Sequence, residues 1–270
     1  MRKSRVIIVA SLLTAVISGT AVTVARATPA LNYVALGDSY SAGVGAGNYM
    51  SASGGCDRST SAYPRLWAAA NSPASFTFAA CSGATTLSVI SGQLAALSAS
   101  TTLVSVTAGG DDAGFTHVME TCVLKSQNSC LSAVSTAETF VASQLPARLN
   151  TMLADIRLHA PSASIVVLGY PNLYDVSHSG LCIGLSGADR TALNQGADDL
   201  DAALATAAAA NHDTFADVRG QFTGHEICDS GSWLHSIDIF AISSSYHPTA
   251  AGQQDGYLPA FGRAASSPAG

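Results

Sequence analysis

The sequence predicts an α/β protein, a three-layer α/β/α sandwich on a parallel sheet of about five strands. Three observations predict it. Short apolar, β-prone runs recur at 32–36, 76–80, 103–107, 165–168 and 214–218. Between them lie segments with helical spacing, and glycines follow each of the first three runs, where strands end on a rim. Strands alternating with helices pair in parallel and are covered on both faces.

Taken in order, the first run ends in Gly37-Asp38-Ser39-Tyr40-Ser41, which sets a serine where a buried strand turns into a loop. A helix is expected over 63–70, with Trp67 in the core, and the second strand leads to Gly83. A helix over 87–97 precedes the third strand, which runs into Gly109-Gly110-Asp111. Leu145, Leu149, Met152 and Ile156 recur every three or four residues, the stripe of a helix packed on a sheet, with Pro146 starting or kinking it. After the fourth strand, an alanine-rich helix over 188–210 turns Leu193, Leu200 and Leu204 to the core. The small, polar tail 263–270 is expected to fray.

The chain opens with Arg2, Lys3 and Arg5, an apolar stretch over 6–17, and Ala25-Arg26-Ala27. This is the pattern of a secretory signal peptide, here 1–27, leaving one domain over 28–270. The apolar stretch is short for a membrane span, so no stable membrane insertion is expected, and the product is expected to be secreted, extracellular and monomeric. Without the leader, eight basic residues face eighteen acidic ones, a net charge of −10. Such a chain offers no electrostatic footprint for nucleic acid.

Cys56, Cys81, Cys122, Cys130, Cys182 and Cys228 all follow the leader. An even count in an oxidising compartment predicts three disulfides, with about 15 connectivities open by sequence. No Cys-x-x-Cys or His-Glu-x-x-His spacing occurs, so neither a metal nor another cofactor is expected. Gly43-Val44-Gly45-Ala46-Gly47 lacks the spacing and lysine of a nucleotide loop and is expected to be a flexible loop.

Ester hydrolysis by serine needs a hydroxyl, a base to take its proton, and donors for the oxyanion. Ser39 is the candidate nucleophile and His247, in Tyr246-His247-Pro248, the candidate base. The backbone N–H groups of Ser39 and Gly83 are candidate oxyanion donors. Asp38 is expected to shape the turn beside Ser39. His117, His159, His178, His212, His225 and His235 lack motif context. Trp233 and Leu234 are candidates either for an acyl pocket or for packing.

Gly37 to Gly43, Cys81-Ser82-Gly83-Ala84, Gly109-Gly110-Asp111-Asp112-Ala113-Gly114-Phe115 and Tyr246-His247-Pro248 with Gly252-Gln253 resemble, in order, the four motif blocks of the GDSL lipases, or SGNH hydrolases. The chain looks particularly like the secreted lipases and phospholipases A1 of Streptomyces. The resemblance implies a flavodoxin-like fold and a lipid or small ester substrate. It also implies disulfides Cys56–Cys81, Cys122–Cys130 and Cys182–Cys228. A carbohydrate O-acetylesterase and a catalytically silent binding protein are the alternatives on the same fold.

Two departures from the family pattern matter. Asp111 stands where the family carries an oxyanion-donating asparagine; an ionised carboxylate cannot donate, whereas a protonated one can. Ser244 stands where many members carry the aspartate that orients the histidine. The expected arrangement is therefore a Ser39–His247 dyad with the Ser244 backbone carbonyl on the imidazole N–H.

Overall fold

The computed structural model describes residues 30–177, 184–238 and 244–266. Five strands form one sheet: β1 (Asn32–Gly37), β2 (Ser75–Phe78), β3 (Leu103–Thr107), β4 (Ser164–Leu168) and β5 (Thr214–Ala216). Their order is β2-β1-β3-β4-β5 and every pairing is parallel. The order reverses between β1 and β3, so the chain leaves these two neighbours in opposite directions and opens a crevice at their carboxyl ends.

Burial follows pairing. β3 is buried throughout and β1 nearly so, as central strands covered on both faces require, while β2 at the edge exposes Ser75 and Thr77. On one face Tyr33 of β1 meets Trp67 of α2 (Tyr63–Asn71) and Phe261 of α9 (Leu258–Ser266). The right-handed crossovers place α5 (Gln127–Ser143), α6 (Leu145–His159) and α7 (Gly187–Ala210) on the other face. The stripe Leu145, Leu149, Met152 and Ile156 is fully buried there, and Pro146 sits in the first turn of α6. Three short helices complete the series, α1 (Ser39–Ala42), α3 (Thr86–Ser88) and α8 (Arg219–Phe222), together with α4 (Phe115–Leu124).

The structure departs from the sequence expectation in four places. The segment expected as one helix over 87–97 is α3 followed by a wide π turn and a tight 3-10 turn. The reason is Gln93, whose buried amide accepts the Gly37 N–H at 2.7 Å and donates to the Gly37 carbonyl at 2.8 Å. Helices α4 and α5 carry no expectation from sequence. Serine and threonine disguise α5, where Thr136, Thr139 and Ser143 bond back to carbonyls four residues earlier. The loop at Gly43–Gly47 is pinned rather than flexible, because the Gly45 carbonyl accepts from His235 Nε2 at 2.8 Å. Finally, α9 extends ordered helix to Ser266.

Two of the implied disulfides form, Cys56–Cys81 and Cys122–Cys130. Cys182, implied as the partner of Cys228, lies outside the described residues, as do His178, the segment 1–27 and residues 267–270. No helix of the described residues is long and apolar enough to cross a membrane.

Candidate active site

Ser39 opens α1 directly after β1. Asp38 caps that helix by accepting the Tyr40 N–H on Oδ1 at 3.0 Å, while its Oδ2 accepts the Tyr170 hydroxyl. Asp38 thus has the structural role expected of it. Its burial, then the nearby charge of Asp111, push its carboxyl above the usual range, and the donated hydrogen bonds oppose that.

The candidate base reaches Ser39 from 208 positions away: His247 Nε2 stands 2.7 Å from Ser39 Oγ. The other ring nitrogen, Nδ1, lies 3.0 Å from the Ser245 carbonyl. A carbonyl only accepts, so Nδ1 carries the hydrogen and Nε2 offers its lone pair to the serine hydroxyl. Burial, reinforced by His235 and opposed by the Ser245 carbonyl, holds the imidazole down at about 4, neutral near pH 7.

The orienting carbonyl therefore belongs to Ser245 and not to Ser244, which corrects the sequence expectation. Tyr246 has a left-handed φ of 64° and turns the chain so that the carbonyl two residues before the ring faces it. The Ser244 carbonyl instead accepts the His247 main-chain N–H at 3.2 Å. The same turn is held from both sides. Tyr40 donates its hydroxyl to the Tyr246 carbonyl at 2.7 Å, and His235 exchanges backbone bonds with Tyr246 and His247 at 2.9 and 3.0 Å. A side chain on Gly45 would put its Cβ 3.0 Å from that of His247 and 2.7 Å from the Pro248 carbonyl, so this position admits only glycine.

The candidate oxyanion donors lie on the loops after three adjacent strands. Ser39 follows β1, Gly83 follows β2 with a φ of 74°, and Asp111 follows β3. Ser39 and Asp111 wall a small cavity of about 20 Å³ together with Asp38, Tyr40, Gly110, Phe115 and Tyr170. Burial, then the charge of Asp112, push the Asp111 carboxyl up to about 6. Asp112 faces away, accepting from the Thr86 N–H and hydroxyl at 2.7 and 2.8 Å and pairing with Arg148 at 3.3 Å.

Beside His247 opens a cleft of about 260 Å³ walled by Phe115, Met119, Val123, Leu124, Ile237 and Tyr246 among others. Trp233 and Leu234 do not line it. Trp233 stacks on His225 at 3.7 Å and meets Phe222 edge-on, and Leu234 is buried. Their role is packing. Sequence reasoning missed α4 as the wall of this cleft, although Phe115, Met119 and Val123, four residues apart, carry its signal. It also missed Tyr40, Tyr170 and His235, whose roles depend on contacts far along the chain. Among the described residues no group of His, Cys, Asp and Glu side chains is placed to hold a metal.

Comparison with known proteins agrees with this geometry. Residues 35–254 match the GDSL-like Lipase/Acylhydrolase family. The chain is 55% identical over 247 residues to Lipase 1 of Streptomyces coelicolor, covering 91% of each. Its structure is similar to that of phospholipase A1 from Streptomyces albidoflavus NA297, with a TM-score of 0.85 and 54% identity over 87% of this chain and 99% of that one. It is similar also to an extracellular lipase from Streptomyces rimosus, with a TM-score of 0.84 and 47% identity over 87% of this chain and all of that one (100%). The chain belongs to the GDSL-like Lipase/Acylhydrolase family, and is a carboxylic ester hydrolase of the lipase and esterase type.

Proposed function

We propose that this protein is an exported lipase of phospholipase A1 type, which transfers an acyl chain to Ser39 and then to water. The observation that carries the proposal is the 2.7 Å contact from Ser39 Oγ to His247 Nε2 at the mouth of an apolar cleft. Ser39 attacks the ester carbonyl while His247 takes its proton and returns it to the leaving alcohol. The Ser245 carbonyl holds the ring and partly offsets the imidazolium charge, so a dyad suffices without a third carboxylate. The backbone N–H groups of Ser39 and Gly83 face the oxyanion.

The cleft along α4 has the lining an acyl chain requires, which favours a lipid ester over an acetylated sugar. An adjoining cavity of about 300 Å³ shares Val123, Ile237 and Tyr246 with it and is walled by Lys125, Gln127, Ser186 and Asp189 among others. Lys125 is the single lysine after residue 3, and its ammonium makes no ion pair among the described residues. A cation beside the acyl cleft supports a phosphate-bearing substrate. The leader at 1–27 and the names of the relatives support export of a single domain over 28–270.

The test is release of fatty acid from phosphatidylcholine carrying different acyl chains at its two positions. Release from the sn-1 position by the parent, lost in Ser39→Ala, is expected. Faster release of acetate from acetylated xylan than of medium-chain acid from any lipid would overturn the lipid assignment. Failure of a fluorophosphonate to label Ser39 in folded protein would favour the silent binding protein that an ionised Asp111 suggests.

A further inference from the structure

We infer that the mouth of the apolar cleft is also a docking surface, which seats on a layer of zwitterionic phospholipid with Leu124 and Ile237 dipped into its acyl region. A lipid then passes from the layer towards Ser39 without crossing water. The inference rests on the reading of the cleft beside His247 as the acyl site.

Its first support is exposure. Leu124 leaves 72% of its surface to solvent and Ile237 37%, and both belong to the wall of the cleft. The same wall includes Val123, Met119 and Phe115, whose ring meets that of His247 edge-on. One apolar surface therefore joins the outer rim to the proposed chemistry, and such a surface calls for an apolar partner. A phospholipid drawn into water would expose every methylene of its chain, a cost that grows with chain length and that a seated cleft removes.

Its second support is that rigid elements hold both side chains out. Leu124 ends α4, where the Lys125 N–H donates to the Thr121 carbonyl at 3.0 Å and Cys122 is bridged to Cys130 of α5. Ile237 stands on a segment bound to the histidine turn, because the Asp238 N–H donates to Ser245 Oγ at 2.8 Å and His235 exchanges backbone bonds with Tyr246 and His247. Two separate stretches of chain thus present an aliphatic group on one rim.

Charge selects the kind of lipid. Among the residues walling the cleft and the cavity beside it, the ionic side chains are Glu120, Lys125 and the buried Asp189. These form no polybasic patch to hold an anionic layer, and the chain carries a net charge of −6, which such a layer repels. A zwitterionic layer does neither harm nor favour at long range. Lys125, one position beyond Leu124, meets its phosphates at the depth where Leu124 enters. A second copy of this chain on the same face would close the cleft to its substrate.

Leu158 supplies the comparison. It is 75% exposed, but it lies at the end of α6 just before β4 begins, at the rim of the sheet opposite Ser39. Exposure alone would make it dock as well as Leu124; the inference says that it does not.

The test is made in the Ser39→Ala background, so that vesicles stay intact, with circular dichroism to verify folding. Tryptophan is placed singly at Leu124, Ile237 and Leu158, and emission is read against vesicles of phosphatidylcholine with brominated acyl chains. Emission from positions 124 and 237 is expected to shift to the blue and to be quenched, and that from 158 to do neither. Leu124→Asp combined with Ile237→Asp is expected to weaken partition onto the vesicles by about 10-fold or more, the scale of one aliphatic side chain withdrawn from an apolar medium. Binding to phosphatidylcholine should hardly change with salt.

Absence of quenching at 124, or equal quenching at 124 and 158, overturns the inference. So does tighter, salt-sensitive binding to phosphatidylglycerol vesicles, or a blue shift at 124 that follows protein concentration without lipid, which would make this face a contact between copies. If the parent frees fatty acid from these vesicles while position 124 stays unquenched, docking fails and the lipase reading stands. If no fatty acid is freed from phosphatidylcholine in any form and nothing is quenched, both fail.

Discussion

Gln253 donates its side-chain amide to the backbone carbonyl of Tyr40 at 2.9 Å, and so ties the helix that follows His247 to the residue that follows Ser39. The same amide accepts the Tyr63 N–H at 2.9 Å, and the whole side chain is buried. Ser39 and His247 are thus registered by a clamp that takes no part in the chemistry.

Replacing Gln253 by leucine orphans a buried carbonyl and a buried N–H. Each costs about 1–3 kcal/mol, so a clear fall in the urea midpoint is expected. The kcat should fall more than KM rises, because the damage is to alignment of the dyad. Urea unfolding and steady-state kinetics on one preparation check both.

The orienting group for His247 is a main-chain carbonyl, so side chains nearby are dispensable. Ser244→Ala and Ser245→Ala are expected to keep at least about a tenth of wild-type kcat/KM, while His247→Ala and Ser39→Ala lose at least about 1,000-fold. Because the imidazole is held down at about 4, it is a competent base above that value, and kcat/KM should fall as pH drops through it.

Chain-length selectivity follows from the wall of the cleft. Val123→Trp is expected to fill its far end, lowering kcat/KM for twelve-carbon esters by about 10-fold or more and sparing four-carbon esters. A series of nitrophenyl esters measures it, and an unchanged ratio would mean that the chain lies elsewhere.

The bridge Cys56–Cys81 closes 25 positions and fastens the segment that leads into Gly83. Replacing both cysteines by serine should cost about 3 kcal/mol by loop entropy. The oxyanion loop should also loosen. Reduced kcat at temperatures where the variant remains folded, read beside thermal melting, is the expected signature.

Asp201 is buried, accepts the Tyr170 N–H at 2.8 Å and stands 3.5 Å from Arg219 Nε. Burial dominates, and pushes its carboxyl from 3.8 up to about 8. The folded state therefore holds a proton that the unfolded chain has released between those values. The group's contribution to stability is full below about pH 4 and is lost as pH rises through about 8. Asp201→Asn keeps the acceptor for Tyr170 without the charge, and should melt at least about 3 °C higher than wild type at pH 9. Equal melting curves at pH 9 would refute this.

The sheet was legible because its signal is local: each central strand is a short run rich in apolar, β-prone residues, and all five lie where those runs do. The meeting of Ser39 and His247 was legible because a strand-end serine and a histidine turn sit in recognisable blocks. What escaped was set by contacts across the chain. Nothing in residues 87–97 tells that Gln93 must hold both polar groups of Gly37, which is why a helix was expected and two irregular turns occur. Likewise, the choice between the Ser244 and Ser245 carbonyls depends on a single left-handed residue, Tyr246, at a side chain that usually avoids that conformation. Helix α5 escaped because its serines and threonines satisfy themselves on their own backbone, a pattern that sequence shares with loops.

The 208 positions between Ser39 and His247 also order events in time. A chain emerges from the ribosome N-terminus first, so the proposed nucleophile exists long before its proposed base. No partly made chain holds the pair, and an unfolded complete one holds it apart. Any lipid surface met before folding is met by a serine without a base, and ester cleavage becomes a report that the last segment has docked.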